Sequence, residues 1–575
     1  MIILGLNYIF HDSSACLIQD GEILYAVEEE RLSRQKHTQC FPTLAIADCL
    51  AQNDLFPQDI DHIAISICPG ASDALKLSHA AKLGPSSGPF LQYEFNRLRD
   101  RNMQFWSWYH KTWADDGPEV HFVDHHLAHA AGTYFVSPWD DAAIMSIDGW
   151  GEWSTTWLGQ AEGPKLTMLS ESLFPNSLGV FYSAATEFCG FKPNYDEGKT
   201  MGLAPVGDKS LFFDEVDSMV SLDEDGRVQL NLSWFDFPSF SGRLCGQKML
   251  DLFGPMRAAG DPITDLHANV AAAFQAVLEK NVLSLARHLK KLTGKRYLVH
   301  SGGVALNSVA NGQIVTEGIF DDVFMMPGAG DNGTAIGAAA YAHSSILKQQ
   351  KRIRHTTPYL GRAYSNSDVV ECLNEAKVPF ELVAQPLETV AQALADGMIV
   401  GWFSGRMEFG PRSLGARSIL ADPTNPDMKR KINAEVKHRE PFRPFAPSVC
   451  AEHAHRYFEM PVEVPYMLKV AKVRPEMRTV LPAVVHVDGT ARLQTVAKNC
   501  APEYHALISE FAKLSGHPVI LNTSFNVMGE PIVESPLDAL RCFYSTGIDL
   551  LVMGSVIVPK PSQSSITGQE PIAAQ

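Results

Sequence analysis

Three histidines fall within five residues, in the run His125-His126-Leu127-Ala128-His129. If this run is helical, His125 and His129 share one face, because residues four apart on a helix lie one above the other. Neutral imidazoles in that arrangement suit iron, zinc or nickel. The run lacks the glutamate of the HExxH zinc-protease motif, so it has no built-in general base. The alternative is a helix start with capping and buried histidines.

Two aspartates are candidates to complete such a metal site. Asp148 follows an apolar, strand-like run, and Asp331 lies in the glycine-rich segment GAGDNG. Taken alone, Asp148 is explained as a turn residue and Asp331 as a helix N-cap. Taken with the histidine pair, the two carboxylates at strand ends predict one set of metal ligands.

A dense group of cations occupies the segments GRMEFGPRSLGARS and KHREPFRPFAPS, within residues 405–448. Interleaved glycine, proline and phenylalanine argue against a solvated charged helix. Because the planar guanidinium fork matches phosphate and carboxylate groups, this group predicts a pocket for a multiply phosphorylated ligand. The alternative is a set of internal salt bridges to Glu408 and Glu440.

Two further segments bear on phosphate binding. The apolar run before Asn522-Thr523-Ser524-Phe525-Asn526 predicts a buried strand whose polar end orients a ligand. Gly198-Lys199-Thr200 imitates the end of a Walker A loop, but Pro193 stands where that loop needs its first glycine. A P-loop is therefore rejected.

The composition argues against a nucleic-acid-binding, membrane-spanning or secreted protein. The chain has 575 residues and a net charge of −17, which argues against nucleic acid as the main partner, since phosphate backbones need a basic face. The N-terminus lacks the basic start of a signal peptide, and no apolar run is long enough to span a membrane. The ten cysteines form no CxxC pair, so we expect neither a zinc ribbon nor a disulfide framework, and a cytoplasmic location.

The elements that must position these residues form a repeated pattern. Three strands joined by turns over residues 2–27 precede a helix over 42–52 and a strand over 60–67, and residues 142–169 repeat the three strands. Two later strands, at 297–300 and 323–326, each run into a glycine loop and a helix, a geometry that directs backbone N–H groups at a phosphate. The pattern predicts an α/β fold with a duplicated first part.

A compositional break separates this first part from the C-terminal third of the chain. We place the main boundary within residues 347–359, before a second mixed α/β part. The Ser/Gln/Pro-rich residues 561–575 are predicted to be a disordered tail.

The motifs, taken in order from about Ile2 to Val558, resemble the O-carbamoyltransferases of natural-product biosynthesis. The blocks that carry the resemblance are GLN, HDSSA, EEERLSRQKH, HHLAHA, DGWGEW, GKTMGLAP, SGGVALN, GAGDNG, GRMEFGPRSLGARS, KHREPFRPFAPS and LNTSFNVMGEPIV. The resemblance implies a duplicated actin-like (ASKHA, TsaD-type) domain over residues 1–346, with subdomains of about 1–140 and 141–346. It also implies a YrdC-like α/β domain over residues 358–560.

The resemblance implies a two-step reaction. Carbamoyl phosphate and ATP give carbamoyl adenylate in the C-terminal domain, and the carbamoyl group then passes to a hydroxyl of a small molecule in the N-terminal domain. The implied cofactors are iron(II), with another divalent metal as the alternative, and ATP with magnesium as co-substrate. Neither nucleic acid nor a membrane is an expected partner, and a homodimer is compatible with the family. The alternatives are a tRNA threonylcarbamoyl transferase-like enzyme and a non-catalytic protein that binds carbamoyl phosphate or a nucleotide.

The resemblance also assigns site residues by position. The family's metal ligands match His125, His129, Asp148 and Asp331. Its adenylate loops match Lys199, Gly202, Gly302, Gly303 and Asn307. Its carbamoyl-phosphate and ATP pocket matches Arg412, Arg417, Ser418, Lys437, Arg439, Arg443, His486, Arg492, Asn522, Ser524 and Asn526. Within that pocket we expect Lys437 and Arg443 to be catalytic. Our candidates for the base that relieves the acceptor hydroxyl of its proton are His11 and Asp12.

Two expectations concern the path of the carbamoyl group. Carbamoyl adenylate should hydrolyse readily in water, so we expect an internal channel between the two domains. The aromatic-rich residues 75–113 predict an apolar or ring-bearing acceptor if they face the site, and the alternative is a helical insertion that packs on the body or on a second subunit.

Overall fold

The computed structural model describes residues 1–114, 116–240, 242–353 and 357–560. The first sheet contains β1 (Ile2–Asn7), β2 (Ser14–Gln19), β3 (Glu22–Glu28), β4 (His62–Ile65) and β5 (Glu119–Phe122). Its order is β3-β2-β1-β4-β5, with β1, β4 and β5 parallel and the β1-β2-β3 meander antiparallel. The helices of this part are α1 (Glu29–Ser33), α2 (Thr43–Ala51), α3 (Asp73–Leu83), α4 (Gly88–Leu91), α5 (Arg97–Trp113) and α6 (His125–Tyr134).

The second part repeats this plan. Its strands are β6 (Asp141–Gly151), β7 (Ser154–Glu162), β8 (Lys165–Leu173), the hairpin β9 (Val220–Leu222) and β10 (Val228–Leu230), then β11 (Tyr297–Ser301) and β12 (Asp322–Phe324). The main sheet has the order β8-β7-β6-β11-β12, again with a meander on one side and three parallel strands on the other. This equal order and direction confirms the duplication that the strand pattern predicts.

Seven helices accompany the second sheet. They are α7 (Leu178–Phe188), α8 (Glu197–Leu203), α9 (Phe213–Asp217), α10 (Gln247–Phe253), α11 (Asp265–Thr293), α12 (Ser308–Thr316) and α13 (Thr334–Tyr341). The long helix α11 is amphipathic and buries its apolar face in the largest core, against α7 and β6.

Helices α6 and α13 pack against each other in the core that joins the two sheets. Both are rich in alanine, and they share this core with Ile3, Ile144 and Val299 of the sheets. A Cβ added at Gly337 would lie 1.8 Å from the carbonyl oxygen of Ala128, and one at Gly132 would lie 3.0 Å from the Cα of Gly337. The two helices therefore cross with their backbones in contact, an approach that larger side chains do not permit.

The rest of the chain builds a third large sheet. Its strands and those of a smaller sheet are β13 (Glu381–Leu382), β14 (Val400–Phe403), β15 (Arg417–Ala421), β16 (Ala446–Cys450), β17 (Phe458–Glu459), β18 (Val470–Val473), β19 (Thr490–Arg492), β20 (Gln494–Val496), β21 (Val519–Ser524), β22 (Leu550–Met553) and β23 (Val556–Pro559). The large sheet is mixed, with the order β13-β23-β22-β14-β15-β21-β16-β20, and β17-β18-β19 form the smaller one. Helices α14 (Asn366–Glu375), α15 (Pro386–Ala395), α16 (Met428–Ile432), α17 (Pro502–Ser515) and α18 (Pro536–Tyr544) complete a mixed α/β region, as predicted.

Long cationic side chains tie the N-terminal strands to this last region. Arg34 donates hydrogen bonds to the carbonyls of Pro531 at 2.9 Å and Ile532 at 2.6 Å. In the opposite direction, Arg406 donates to the carbonyl of Leu24 at 2.8 Å. The segment that follows β3 thus packs directly on the C-terminal region.

Some predictions about organisation are not tested by the structure. Residues 354–356, inside the predicted boundary, and the predicted tail 561–575 lie outside the described residues. The limits 1–346 and 358–560 therefore stay predictions. Within the described part of the chain, no helix combines the length and apolarity that crossing a membrane requires.

Replacing Gly337 by alanine should destabilise the protein, because the new methyl group would lie 1.8 Å from the carbonyl oxygen of Ala128. Overpacking of this kind costs about 1–3 kcal/mol of the free energy of unfolding. The control is Gly88→Ala, since Gly88 is also helical and nothing lies within 4 Å of an added Cβ. Urea unfolding measures both variants. A Gly337→Ala midpoint equal to that of the wild type would contradict the close crossing.

Candidate functional site

Four side chains converge where α6, β6 and the turn before α13 meet. The Nε2 atoms of His125 and His129, one helical turn apart on α6, lie 3.1 Å from each other. Asp148 Oδ2 lies 3.3 Å from the first and 3.5 Å from the second of these nitrogens. Asp331 Oδ1 lies 3.6 and 3.3 Å from them. The structure thus brings together all four predicted metal ligands.

This geometry fits a metal ion. Ligand atoms about 2.1 Å from a tetrahedral centre stand about 3.4 Å apart, close to the spacings found here. All four side chains are buried, and Asp331 Oδ1 has no hydrogen-bond partner. Two imidazoles and two carboxylates form a donor set that suits a divalent transition metal. Hereafter we call these four residues the metal centre.

The electrostatics of the metal centre favour a bound cation. Burial alone would lower the pKa of His125, but the carboxylates of Asp331 and Asp148 outweigh it and raise the pKa to about 10. Burial alone would raise the pKa of Asp148, yet its bonds to His125 and His129 hold that pKa well below its ordinary value. The carboxylates therefore stay ionised, and a cation would take over the charge that a proton on His125 otherwise supplies.

Glycines let the surrounding loops approach the ligands. A Cβ at Gly151 would lie 1.8 Å from the ring of His125, so only glycine fits at that position. The backbone N–H of Gly303 donates to Asp148 Oδ1 at 2.9 Å. Its neighbour Gly302 has φ +86°, a left-handed conformation that glycine adopts without strain. The predicted adenylate loop thus lies against a metal ligand.

His126, the middle histidine of the run, is outside the ligand set. Its Nδ1 lies 3.0 Å from Ser146 Oγ, and its Nε2 lies 3.1 Å from the carbonyl oxygen of Ser154. Burial lowers the pKa of His126 to about 4, so the ring is neutral and holds α6 against β6 and β7.

The two predicted base candidates lie beside the metal centre. His11 Nε2 is 3.7 Å from Asp331 Oδ2, and His11 Nδ1 is 3.0 Å from Asp12 Oδ2. The other oxygen of Asp12 lies 2.5 Å from Nδ1 of His37, a residue to which the sequence analysis gave no role. Burial alone would lower the pKa of His11, but Asp331 and Asp12 raise it to about 10. His11 can therefore accept a proton at neutral pH only when a cation offsets these carboxylates.

A second group of predicted residues converges in the C-terminal region. Burial, together with the charge of Arg443, lowers the pKa of Arg412 to about 10 and that of Arg439 to about 9. Burial and the other three guanidinium groups hold the pKa of Arg492 well below its ordinary value. The Nε atoms of Arg412 and Arg492 and the Nε2 of His486 are buried without a hydrogen-bond partner. Clustered cations with free N–H groups favour a bound anion, and we call the four arginines the arginine cluster.

Among the described residues, internal salt bridges compensate this cluster only at Arg443. Glu440 Oε2 lies 3.7 Å from Nη1 of Arg443, which is too far for a hydrogen bond. Glu408 Oε1 instead accepts the backbone N–H of Leu414 at 2.7 Å. The alternative interpretation is that these cations form salt bridges to Glu408 and Glu440. It is met by one weak ion pair, between Glu440 and Arg443.

The polar wall predicted for this pocket is also assembled. Lys437 Nζ donates to Asn526 Oδ1 at 2.8 Å and lies 3.3 Å from Ser524 Oγ. Burial, followed by the charge of Arg439, holds the pKa of Lys437 well below its ordinary value. Asn522 is buried nearby in β21 and donates to the carbonyl of Ser413, the neighbour of Arg412 in sequence.

Two predicted ligands, Arg417 and Asn307, have their side chains engaged elsewhere, and we correct their assignment, whereas that of Ser418 stays a prediction. Arg417 is fully buried over the ring of Phe403 and donates to the main-chain carbonyls of Arg362, Ser404, Gly405 and Ala416. Ser418 Oγ accepts a main-chain N–H at 3.1 Å. Asn307 caps α12 and pairs with Gln275 at 2.9 and 3.1 Å. Arg417 and Asn307 position loops, since their polar groups are used within the protein, while the Ser418 hydroxyl can still donate to a ligand.

The remaining predicted adenylate residues lie where the two regions meet. Lys199 Nζ is 2.9 Å from Asp196 Oδ2. Burial lowers the pKa of Arg443, and the charge of the Asp196 carboxylate opposes this effect, which places Asp196 near Arg443. A Cβ at Gly202 would lie 3.7 Å from Cδ of Pro444, the neighbour of Arg443. Helix α8 therefore borders the arginine cluster.

A buried ion pair that the sequence analysis missed joins the loops of both centres. Glu28 Oε1 accepts hydrogen bonds from Asn332 Nδ2 at 3.0 Å and from the N–H of Gly410 at 2.6 Å. Asn332 follows a metal ligand, and Gly410 lies two residues before the arginine cluster begins. Arg31 donates to the carbonyl of Gly410 at 2.5 Å, and its Nε lies 3.7 Å from Glu28 Oε2. The only signal in the sequence is the run of charges after β3.

In the aromatic-rich segment, residues 75–113, the second half forms helix α5 and packs on the body of the protein. Phe105 and Tyr109 of α5 belong to the apolar core next to the first sheet, where Phe105 stacks on Tyr8 at 6.4 Å. Phe90 instead packs at 5.1 Å on Phe240. The aromatic content of α5 is thus explained by packing, and it carries no conclusion about the acceptor.

The chain is similar to known proteins along nearly its whole length. The family model described as the carbamoyltransferase N-terminus matches residues 2–340, and the one described as the carbamoyltransferase C-terminus matches residues 391–560. An uncharacterized protein of Synechocystis sp., sll1178, is 38% identical over 98% of this chain and 97% of its own length. The nodulation protein NolNO of Sinorhizobium fredii is 36% identical over 97% of this chain and 80% of its own length. Nodulation protein U of Rhizobium tropici is 31% identical over 90% of each chain.

Replacing Asp331 by asparagine should remove the metal while leaving the side-chain volume nearly unchanged. The substitution deletes one of the two charges that attract the cation, so we expect the metal content after anaerobic iron loading to fall at least about tenfold. Elemental analysis by mass spectrometry measures this content. Asp321→Asn is the control, because Asp321 is 47% exposed and pairs with a surface arginine. Full metal content in Asp331→Asn would contradict the assignment.

Breaking the Glu28–Arg31 pair should cost much more than breaking an exposed pair. Glu28→Gln keeps the hydrogen-bond acceptor but leaves the Arg31 charge buried alone, which costs about 3–5 kcal/mol of the free energy of unfolding. Adding Arg31→Met should recover part of that cost, because both charges are then absent. Urea unfolding of the single and double variants measures the coupling. The exposed pair Asp321–Arg296 is the control cycle, with an expected coupling below about 1 kcal/mol. Additive effects of Glu28→Gln and Arg31→Met would show that the pair is not coupled.

Proposed function

The chain belongs to the carbamoyltransferase family, and from that premise we propose that it is an ATP-dependent O-carbamoyltransferase. Carbamoyl phosphate and ATP form carbamoyl adenylate at the arginine cluster, and the carbamoyl group passes to a small-molecule hydroxyl at the metal centre. The observation that carries this proposal is that Glu28 joins the loop of a buried cationic cluster to the loop of an anionic set of candidate metal ligands.

The overall reaction balances with one water. Water cleaves carbamoyl phosphate to carbamate and phosphate, and a carbamate oxygen then displaces pyrophosphate from the α-phosphorus of ATP. The acceptor oxygen attacks the carbamoyl carbon, AMP leaves, and the hydroxyl proton passes to a base. The products are the carbamate ester, AMP, pyrophosphate and phosphate.

The arginine cluster addresses the main obstacle to the first step, which is the mutual repulsion of carbamoyl phosphate and ATP. Four buried guanidinium groups are close enough there to influence one another's charge, so a positive field that stabilises two anions exists before they bind. Arg443 is our candidate for direct contact with the reacting phosphates. Lys437 adds its charge from the wall that it shares with Asn526. Magnesium is expected to enter with ATP.

The metal centre serves the second step. With iron(II) or another divalent ion held by its four side chains, it would supply a Lewis acid for a phosphate or carbonyl oxygen. His11 Nε2 accepts the proton of the acceptor hydroxyl, and Asp12 orients the ring through Nδ1. The N–H of Gly303 fixes Asp148 and places the adenylate loop beside it.

The contacts between the two regions support a short internal path for the adenylate. Helix α8 touches the loop that carries Arg443 through Gly202 and Pro444, and Glu28 ties the loops together. Such a path would limit hydrolysis of the intermediate. We infer from the resemblance that residues 1–346 form the TsaD-type transfer domain and residues 358–560 the YrdC-like domain.

Different substitutions should abolish adenylate formation and carbamoyl transfer independently. In the absence of acceptor, the protein should catalyse ATP–pyrophosphate exchange that depends on carbamoyl phosphate. Arg443→Ala should lower the exchange rate at least about a hundredfold, since it removes a charged contact to the reacting phosphates. Asp331→Asn should retain exchange but lose carbamate formation when a panel of alcohols is offered. The exposed Arg456→Ala is the matched control.

Two results would contradict the proposal. Exchange that is independent of carbamoyl phosphate would point to another adenylated substrate. Binding of carbamoyl phosphate and ATP with no exchange in the iron-loaded, anaerobic protein, with and without the alcohols, would favour a non-catalytic binding protein.

A further inference from the structure

A second set of candidate metal ligands lies in the first sheet, at the start of β4 and β5. His62 opens β4, and Glu119 and His121 belong to β5. The two strands are parallel, and their register places His62 beside Glu119 and Ala64 beside His121. Since side chains alternate along a strand, Glu119 and His121 point to the same face, on which His62 also lies. The metal centre lies beyond the other end of β5, where α6 begins.

The donor atoms of these residues are close to a ligand geometry. His62 Nδ1 and His121 Nε2 are 3.1 Å apart, and Glu119 Oε2 is 3.7 and 4.0 Å from them. Zinc ligands at about 2.0–2.1 Å in a tetrahedron stand about 3.3 Å apart. The two imidazoles already have this spacing. The side chain of Glu119 is 68% exposed, so it can move the remaining fraction of an ångström freely.

The protonation state of His121 also suits a metal. Burial lowers the pKa of His121, and the nearby His62 lowers it further against the opposing effect of Glu119. The neutral imidazole that results is the metal-binding form. Among the described residues, the contact between the two rings is the one hydrogen bond recorded for either side chain. A bound ion would therefore replace this one hydrogen bond, the shared proton would move to the other nitrogen of the ring that carries it, and no other polar contact would break.

We propose that His62, Glu119 and His121 bind a divalent transition-metal ion, zinc in the first instance, separately from the metal centre. The ion would link β4 to β5 at the edge of the sheet, because β5 has a neighbour on one side only. Strand β5 leads through Val123 and Asp124 into α6, which carries His125 and His129. The ion would thus stabilise the strand that precedes the metal-bearing helix. Water would fill the fourth position, since three protein ligands are present.

Zinc binding to the full-length protein tests the proposal. After removal of metals, equilibrium dialysis against Zn²⁺ with elemental analysis should give two ions per wild-type chain. His62→Ala and His121→Ala should each bind one, Asp331→Asn should bind one, and Asp331→Asn combined with His62→Ala should bind none. His455→Ala removes an exposed histidine from outside both sites and should still bind two. Equal zinc content in the wild type, His62→Ala and His121→Ala would overturn the proposal.

A substitution at an exposed residue tests the site with little effect on folding. Glu119→Gln changes an exposed group, and we expect it to raise the dissociation constant of the second ion at least about tenfold. In the Asp331→Asn background, Zn²⁺ should raise the thermal midpoint, and this shift should vanish when His62→Ala or Glu119→Gln is added. An undiminished shift in both combined variants would show that the ion binds elsewhere and that the histidine pair is only a hydrogen bond.

Discussion

Glu28 accepts hydrogen bonds from the loops of both candidate centres, so this one buried carboxylate links the two centres directly. One donor, Asn332, follows a metal ligand, and the other, the N–H of Gly410, lies just before the arginine cluster. Arg31 balances the charge of Glu28 and holds the same loop through the carbonyl of Gly410. A buried ion pair of this kind is costly to break, so it fixes geometry even where it adds little net stability.

The two centres carry opposite charges: carboxylates dominate the metal centre, and guanidinium groups dominate the arginine cluster. The metal centre gathers two carboxylates that hold a proton on His125 in the absence of a cation. The arginine cluster gathers four guanidinium groups, and burial together with the charge of neighbouring arginines lowers the pKa of Arg412, Arg439 and Arg492. The arginine cluster therefore has unfavourable electrostatics alone, and a bound ligand of opposite charge would stabilise either centre. Such preorganised charge is what a transfer between two phosphorylated substrates requires, because the stabilising field need not be assembled during the reaction.

Much of the fold follows from local pattern. The repeated strand–turn–strand meander predicts the duplicated sheets, and the spacing of His125 and His129 predicts a ligand pair on one helix face. The density of arginine among glycine and proline predicts an anion site. The functions of Arg417 and Asn307 could not be predicted from the local sequence pattern. A motif gives the residue type, whereas burial and nearby carbonyls decide whether a side chain faces a ligand or the protein.

The sequence by itself thus determined the elements, their duplication and the kinds of ligand that each motif can bind, because these depend on contacts within a few residues. The motifs predicted that Asp148 and Asp331 join the histidines of α6, but only the tertiary structure decided the distances between these four side chains and the position of Glu28 between the two centres. Those contacts arise where helices α6 and α13 cross at Gly132 and Gly337 and where the loop after β3 meets the C-terminal region. Packing between distant segments sets these distances, and no spacing along the chain encodes them.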